Sequence, residues 1–154
     1  MKIKAIIFDW GRTLFDSESK ELYPESLGVL EFCHAQGLHL ACASLVSAQA
    51  NATLEERKGQ VENSVLRKFF EFVAVTDVNK DLIFDEIVGK LNLPREEILI
   101  VDDRTVRGIK YGNHNGHPTV WFQNGKFANE LPNKETGAPT YTIQNLNELK
   151  DIIK

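Results

Sequence analysis

Five polar residues of this sequence lie directly after short apolar runs or at a predicted helix start, and their side chains could do chemistry together. Asp9, Ser44 and Lys80 are three of them, and Asp102 and Asp103 form an acidic pair. A carboxylate before a glycine-bearing turn can act as a nucleophile or as a metal ligand. A hydroxyl and an ammonium can bind anionic oxygens, and paired carboxylates can hold a hard cation. Together these residue types indicate a site for Mg²⁺ and phosphate.

The elements that must position these residues alternate between strand and helix. Apolar runs predict strands at residues 2–8, 38–43, 69–75, 97–101, 118–122 and 141–143. Helical spacing and punctuation by proline and glycine predict helices at residues 24–37, 47–68, 80–91, 106–116 and 146–153. Residues 123–140 are expected to form an exposed loop. This order predicts an α/β fold, a doubly wound and mainly parallel sheet with helices on both faces. Ligands of such folds bind beyond the carboxyl ends of the strands, where the five polar residues lie.

Composition restricts the classes of protein to which the chain can belong. With 42% hydrophobic and 26% charged residues, residues 1–154 are expected to fold as one domain. A net charge of −4 disfavours general attraction to nucleic acid or an anionic membrane. No apolar run approaches the ~18 residues needed to cross a membrane, and charges near the start argue against a signal peptide. We therefore expect a cytoplasmic protein in which Cys33 and Cys42 are buried thiols.

The polar residues and their flanking segments, taken in order, resemble the haloacid dehalogenase-like superfamily over essentially the whole chain. The first motif of that superfamily is matched by IIFDWGRTLF around Asp9, and the second by Ser44 in LACASL. The third is matched by Lys80 in NKDLIFDEI, and the fourth by the acidic pair in ILIVDDRTVRG. The resemblance implies a Rossmann-like core. Only short segments separate the motifs, so no sizeable cap domain is expected and the site should be open.

The resemblance also implies roles for individual residues. Asp9 would attack a phosphoryl group and form an aspartyl-phosphate. Mg²⁺ would be held by Asp9, the backbone carbonyl of Gly11, Asp102 and Asp103. Thr13, Ser44 and Lys80 would hold the oxygens of the phosphoryl group. The turn Gly11, Arg12 and Thr13 is the candidate substrate-binding segment. A transition state with high negative charge needs such cations and donors in place beforehand.

The sequence departs from the pattern of the superfamily at three positions. Gly11 stands where its phosphatases carry the Asp that acts as general acid and base, a function worth about 10²–10⁴-fold in rate. This departure predicts slow turnover, or a substrate whose leaving group needs no proton, such as an acyl phosphate. Arg12 replaces a usual glycine and could bind phosphate or face solvent. Arg107 could pair with the acidic pair, weaken Mg²⁺ binding or point outward. The neighbouring Trp10 could stack on substrate or pack internally.

Three functions remain to be compared. The first is a Mg²⁺-dependent phosphohydrolase whose substrate is a phosphorylated small molecule or macromolecule. The second is a catalytically deficient relative that binds a phosphorylated ligand or partner. The third, a receiver-like signalling domain, is disfavoured because receivers place the acidic pair first and the phospho-accepting Asp later. An open site could also borrow a lid from a second copy of the chain, in a homo-oligomer, or use residues 123–140 as a partial lid.

Overall fold

The computed structural model describes residues 2–153 and contains eight strands and five α-helices within that range. The strands are β1 (Ala5–Phe8), β2 (Phe15–Asp16), β3 (Glu21–Leu22), β4 (His39–Leu45), β5 (Phe70–Thr76), β6 (Ile98–Asp102), β7 (Thr119–Phe122) and β8 (Tyr141–Ile143). The helices are α1 (Ser26–Ala35), α2 (Leu54–Glu62), α3 (Lys80–Leu91), α4 (Lys110–His114) and α5 (Leu149–Ile152).

Six strands form one parallel sheet in the order β5-β4-β1-β6-β7-β8. The strand β1 is central, with β4 on one side and β6 on the other. The chain therefore crosses from one half of the sheet to the other after β5. The predicted α/β fold with a doubly wound parallel sheet is confirmed. The carboxyl ends of β1, β4 and β6 meet at one edge of the sheet, on both sides of the point where the strand order reverses.

Successive residues along the strands face opposite sides of the sheet, and each side has its own apolar core. One core packs Ile6 and Leu99 of the sheet against α1 and α5. The other packs Ile7 and Ile100 against α3, through side chains that include Phe84. Because neighbouring residues of the central strands serve both cores, β1 is buried along its whole length. The strand ends that carry polar residues are thus held on a rigid support.

No inserted domain separates the strands within residues 2–153. Between β1 and α1 the chain forms only the small antiparallel hairpin of β2 and β3. Between β4 and β5 it forms only α2 and a short turn at Arg67–Phe69. The absence of a sizeable cap, expected from the spacing of the motifs, holds for this part of the chain.

The segment 47–68, predicted to be mostly helical in one piece or two, forms the helix α2 and a separate helical turn at Arg67–Phe69, and it is not helical before residue 54. Thr53 accepts a hydrogen bond from the backbone N–H of Glu56, whose side chain accepts one from the N–H of Thr53. This reciprocal cap fixes the start of α2 after Thr53. The polar residues before it form turns instead, so the wider prediction was wrong at that end.

The segment 123–140 is only partly the exposed loop that the sequence predicted. It contains a helical turn at Gly125–Phe127, and Thr136 is buried. Asn113 of α4 donates to the carbonyl oxygens of Thr136 and Ala138 and fixes the far part of the segment to the body of the protein. The segment is therefore a structured wall rather than a free loop.

The thiols of Cys33 and Cys42 are free and buried, as predicted. Burial raises the pKa of Cys33 to about 12, so this thiol is not a nucleophile at neutral pH. Among residues 2–153, no helix combines the length and the apolar character that a membrane crossing requires.

Candidate active site

Asp9 lies just beyond the end of β1, and its carboxylate is held by two donors. The backbone N–H of Asp9 still bonds to the carbonyl of Val101, so the residue continues the strand. One carboxylate oxygen, Oδ2, accepts from Thr13 Oγ1 at 3.0 Å, and Oδ1 accepts from Lys80 Nζ at 2.6 Å. Burial is the largest effect and acts to raise the pKa of Asp9, but the charge of Lys80 and the hydrogen bonds to the carboxylate together outweigh it, and the pKa is lowered. Asp9 is therefore an ionised carboxylate in a nearly dry site.

Lys80 is brought to this carboxylate by the first turn of α3. Asn79 caps the helix by accepting from the N–H of Asp81, which makes Lys80 the first helical residue. Its ammonium is buried and also donates to Asp102 Oδ2 at 2.9 Å. Burial acts to lower the pKa of Lys80, but the charges of Asp102 and Asp9 raise it above its ordinary value. The ammonium thus stays charged between two carboxylates.

Asp102 is fixed at the end of β6 by backbone donors on the following turn. Its Oδ1 accepts from the N–H of Arg104 at 3.0 Å, and its Oδ2 accepts from the N–H of Gly108 at 2.9 Å. A Cβ added to Gly108 would lie 2.4 Å from Asp102 Oδ2. Only glycine permits this close approach, which makes Gly108 a site residue that the sequence analysis did not identify. The sequence feature that could have identified Gly108 is its position six residues after Asp102, the aspartate that ends β6.

Asp103 places a third carboxylate beside the other two. Ligand oxygens of Asp9, Asp102 and Asp103 lie within 4.8 Å of one another. Asp103 Oδ2 is buried and has no hydrogen-bond partner. Burial, followed by the charges of Asp9 and Asp102, raises the pKa of Asp103 well above its ordinary value. An orphaned oxygen in a cluster of three carboxylates fits a hard divalent cation such as Mg²⁺, which takes oxygen ligands.

Ser44 lies near the end of β4, and its hydroxyl is fixed by a residue that the sequence analysis missed. Arg57 of α2 donates from Nη1 to Ser44 Oγ at 2.8 Å. Because Ser44 Oγ accepts this bond, its own hydrogen remains available for an anionic oxygen. Arg57 is 6% exposed, and it shares the buried face of α2 with Val61. The only sequence feature that could have indicated the burial of Arg57 is its position four residues before Val61 on the same helix, and that feature is weak.

Gly11 and Arg12 form the turn after Asp9. A Cβ on Gly11 would lie 3.3 Å from Ser17 Oγ and 3.4 Å from Arg57 Nη1, so the space for a side chain is already lined by polar groups. Arg12 has a φ of 64°, a left-handed conformation that is uncommon outside glycine. Its guanidinium pairs with Glu18 at 2.8 Å on the wall of the cleft.

Trp10 does not reach a ligand. Its side chain is fully buried and stacks on Phe15 with ring centroids 5.5 Å apart. Of the two roles considered for Trp10, internal packing is the one the structure shows.

Four of the predicted site residues, Asp9, Gly11, Arg12 and Asp103, line one open cleft of about 460 Å³. Its floor includes Asp9, Gly11 and Asp103. Its walls carry a set of cationic side chains, namely Arg12, Arg57, Arg104, Arg107 and Lys126. Phe127, from the segment 123–140, lies under the guanidinium of Arg104, whose Cζ is 3.8 Å from the ring centroid. The cleft therefore combines a carboxylate cluster at its floor with positive charge around it.

Arg107 does not pair with the acidic residues. Its side chain lines the cleft and makes no hydrogen bond or ion pair with any other residue between 2 and 153. Thr13, Ser44 and Lys80 are buried and do not line the cleft themselves. Thr13 and Lys80 touch Asp9 directly, whereas Ser44 reaches the site beside Arg57.

Comparisons with known proteins agree with this arrangement. A family model described as HAD-hydrolase-like matches residues 80–149. A glyceraldehyde 3-phosphate phosphatase from Pyrococcus furiosus is 33% identical over 94 residues, which are 58% of this chain and 39% of that protein. A second, from Methanopyrus kandleri, is 31% identical over 72 residues, which are 47% of this chain and 31% of that protein. The chain thus spans well under half the length of the curated relatives it matches.

The solved structures that resemble this fold include a magnesium-bound HAD-hydrolase, YfnB from Bacillus subtilis. The likeness to YfnB has a TM-score of 0.79 at 15% identity and covers 100% of both chains. A protein described as a predicted phosphoglycolate phosphatase, from Haemophilus somnus, has a TM-score of 0.76 at 15% identity, over 100% of this chain and 99% of that one. At such identities the likeness establishes the shared fold.

Proposed function

Because this chain belongs to the haloacid dehalogenase-like superfamily, we propose that it is a Mg²⁺-dependent phosphohydrolase that acts through an aspartyl-phosphate on Asp9. The observation that carries the proposal is the buried ion pair between Asp9 and Lys80, beside the carboxylates of Asp102 and Asp103. An ionised carboxylate, a fixed ammonium and a cluster of oxygen ligands are the groups that phosphoryl transfer to an aspartate requires.

Asp9 is the nucleophile of the proposed reaction. A carboxylate oxygen of Asp9 forms a bond to phosphorus, and the bond between phosphorus and the leaving oxygen breaks. The lowered pKa of Asp9 keeps the carboxylate ionised and ready to attack. Lys80, Thr13 and Ser44 bind the oxygens of the phosphoryl group as their charge changes. The donors are already ordered by the protein, so little reorganisation accompanies the step.

The metal would be held by Asp9, the carbonyl of Gly11, Asp102 and Asp103. When bound, Mg²⁺ supplies Lewis-acid stabilisation of the phosphoryl oxygens. The orphaned Oδ2 of Asp103 supports this assignment, because the chain offers that oxygen no donor within the described residues. Gly108 and Arg104 hold Asp102 through their backbone N–H groups and thereby orient the cluster.

The release of phosphate from Asp9 is the slow half of the proposed reaction. Water must attack the aspartyl-phosphate without a carboxylate at position 11 to take its proton, and the leaving group departs without a proton donor at that position. General acid–base help of this kind is worth about 10²–10⁴-fold. We therefore expect slow turnover of ordinary phosphate esters. Acyl phosphates, whose leaving group is a weak base, should form the aspartyl-phosphate faster, so that this intermediate accumulates before its slow hydrolysis.

The curated relatives are phosphatases by name, which supports a phosphorylated substrate for this chain. Three expectations stay predictions from the sequence. They are a single domain spanning residues 1–154, a cytoplasmic location, and an open site that a second copy of the chain could cover. The acidic balance of the chain, −4 overall, favours neither nucleic acid nor an anionic membrane as partner.

Acetyl phosphate hydrolysis tests the proposed function. We expect Mg²⁺-dependent release of phosphate, loss of that release in Asp9→Asn, and a transient protein adduct of one phosphoryl group in the wild type. The matched control is Asp81→Asn, which changes an exposed aspartate of α3 and should keep full activity. Activity that persists in Asp9→Asn would overturn the assignment of the nucleophile.

A phosphate-binding protein without turnover is the second candidate, and Gly11 is the observation that favours it. In that case wild-type protein and Asp9→Asn both bind inorganic phosphate, but neither releases phosphate from acetyl phosphate. Binding without any phosphoryl adduct on Asp9 would select this candidate over the enzyme.

A further inference from the structure

Arg57 is a buried cation that the proposed reaction has not yet used. Its side chain is 6% exposed, and it makes no ion pair with any carboxylate in residues 2–153. Nη1 bonds to Ser44 Oγ, but Nε is buried without a hydrogen-bond partner. A buried guanidinium without a counter-ion is costly to a folded protein. Its charge is opposed by the field of the Asp9 carboxylate but by no direct ion pair, so the guanidinium is free to pair with an anion that enters the cleft.

A second guanidinium in the same cleft also lacks a partner. Arg12 pairs with Glu18 and Arg104 pairs with Glu130, so the charges of these two are compensated. Arg107 lines the cleft without such an ion pair. Burial lowers the pKa of Arg57, the negative charge of Asp9 acts to raise it, and the positive charge of Arg107 acts to lower it. Both guanidiniums line the same cleft. Arg57 and Arg107 are thus the two guanidiniums of the cleft that have no ion pair with a carboxylate in residues 2–153, and the ammonium of Lys126 lines the cleft as well.

Arg57 lies beside the position two residues after the nucleophile. A Cβ on Gly11 would be 3.4 Å from Nη1 and 3.5 Å from Nη2 of Arg57. The guanidinium therefore occupies the neighbourhood in which an acid at position 11 would meet the leaving group. In the proposed reaction a group attached to the leaving oxygen would therefore lie near Arg57, in the cleft that Arg107 also lines.

We propose that Arg57 and Arg107 bind a second anionic group of the substrate, a carboxylate or a phosphate carried by the leaving group. This inference rests on the proposed function, because it takes Asp9 as the site of the phosphoryl group. Guanidinium forks match both oxyanions, and charge-assisted hydrogen bonds of this kind are the strong ones. The cleft volume of about 460 Å³ suits a small acidic phosphate ester.

Binding of matched three-carbon ligands to Asp9→Asn tests this inference without turnover. The ligands are glycerol 3-phosphate, which has no second anion, 3-phosphoglycerate, which adds a carboxylate, and glycerol 1,3-bisphosphate, which adds a phosphate. Calorimetry at constant Mg²⁺ and ionic strength should give an affinity about 10- to 100-fold higher for at least one of the two ligands with a second anion. Whichever of them gains more identifies the second group as carboxylate or phosphate.

Substitution of the arginines should remove this preference. In the Asp9→Asn background, Arg57→Gln and Arg107→Gln should each lower the preference by about tenfold. Arg107→Gln should change the affinity for glycerol 3-phosphate little, whereas Arg57→Gln also releases Ser44 and is judged by the ratio of affinities. Arg57→Lys should restore part of the preference, because it returns the charge. The control is Lys58→Gln, which removes an exposed cation from the next position of α2 and should leave the preference intact. Arg107 is only half-buried, so its variant tests the inference even if Arg57→Gln does not fold.

Different results would overturn different claims. Equal affinity for the three ligands would refute the second anionic group while leaving the phosphohydrolase intact. A preference that survives both arginine substitutions would refute the assignment to Arg57 and Arg107. Failure of Asp9→Asn and of the wild type to bind any of the ligands would refute the proposed function, and this inference with it.

Discussion

The guanidinium of Arg57 lies against the empty side-chain position of Gly11, 3.4 Å from where a Cβ would be. A carboxylate at position 11 would therefore meet a buried cation. An ion pair with Arg57 would lower the pKa of such a carboxylate and weaken it as a proton donor. The absence of an acid at position 11 and the burial of Arg57 are therefore linked, because both suit a leaving group that departs as an anion without taking up a proton.

An acid introduced at position 11 without any other change should therefore raise the rate of turnover only slightly. We expect Gly11→Asp to raise kcat for glycerol 3-phosphate by less than about tenfold, and Gly11→Asp with Arg57→Gln to raise it by about 10²-fold. Steady-state phosphate release measures both. Gly11→Asn, alone and with Arg57→Gln, is the matched control without a proton to donate. A full gain in Gly11→Asp alone would show that Arg57 does not suppress the acid.

Lys80 should be essential for stability as well as for chemistry. Lys80→Met leaves the carboxylates of Asp9 and Asp102 buried without their cation, so we expect a loss of about 3–5 kcal/mol in the free energy of unfolding. Denaturant titration measures it. Lys90→Met removes an exposed lysine that pairs with Glu86 on the same helix and should cost less than about 1 kcal/mol. Similar losses in the two variants would contradict the role of Lys80 as the charge that holds the cluster together.

Addition of Mg²⁺ should stabilise the folded protein through the carboxylate cluster. Ion present at a hundred times its Kd adds about 2.7 kcal/mol to the free energy of unfolding. Thermal melts with MgCl₂ should show a rise in Tm that Asp103→Asn reduces, because Asp103 supplies the orphaned oxygen. Asp16→Asn is the control, because the carboxylate of Asp16 accepts from the N–H of Glu18 in a turn and does not belong to the cluster. An equal rise with NaCl of the same ionic strength would remove the evidence for a site.

Gly108 should tolerate no side chain, since a Cβ there would lie 2.4 Å from Asp102 Oδ2. Gly108→Ala must displace Asp102 and with it the bond to Lys80. We expect a loss of more than about tenfold in kcat/KM, together with a lower Tm. Gly28→Ala is the matched control, because nothing lies within 4 Å of its Cβ position in α1. That variant should gain about 0.4–1 kcal/mol of stability. Normal activity in Gly108→Ala would show that the position of Asp102 is not critical.

Protonation of His117 should lower the free energy of unfolding in weak acid. Burial lowers its pKa below the ordinary 6.5, and its Nδ1 faces the carbonyl oxygens of Arg95 and Ile98. The unfolded chain then takes up a proton at higher pH than the folded one, so this contribution is present above pH 6.5 and is lost as the pH falls below it.

The His117→Asn variant isolates that contribution. Asn keeps a donor for the two carbonyls but does not titrate, so its stability should change less between pH 7 and pH 5. The difference in slope from the wild type is at most about 1.4 kcal/mol per pH unit. Denaturant titration at a series of pH values measures it, and parallel curves for the two proteins would contradict the prediction.

The order of strands and helices, and the five polar residues at their ends, could be predicted from the sequence. Both depend on local patterns: apolar runs that must be buried, and polar residues at the points where those runs stop. Asp9, Lys80 and Asp102 do meet at one edge of the sheet, because parallel strands bring their carboxyl ends together.

Only the tertiary structure decided which charges remain uncompensated at that edge. Arg57 belongs to a polar helix with no periodic signal of its own, and its burial depends on how α2 packs near the end of β4. The same packing decides that Trp10 lies inside and that Arg107 has no carboxylate partner in the described residues. Local sequence determines where a chain turns, whereas the counter-ion of a side chain depends on contacts between residues far apart in the chain.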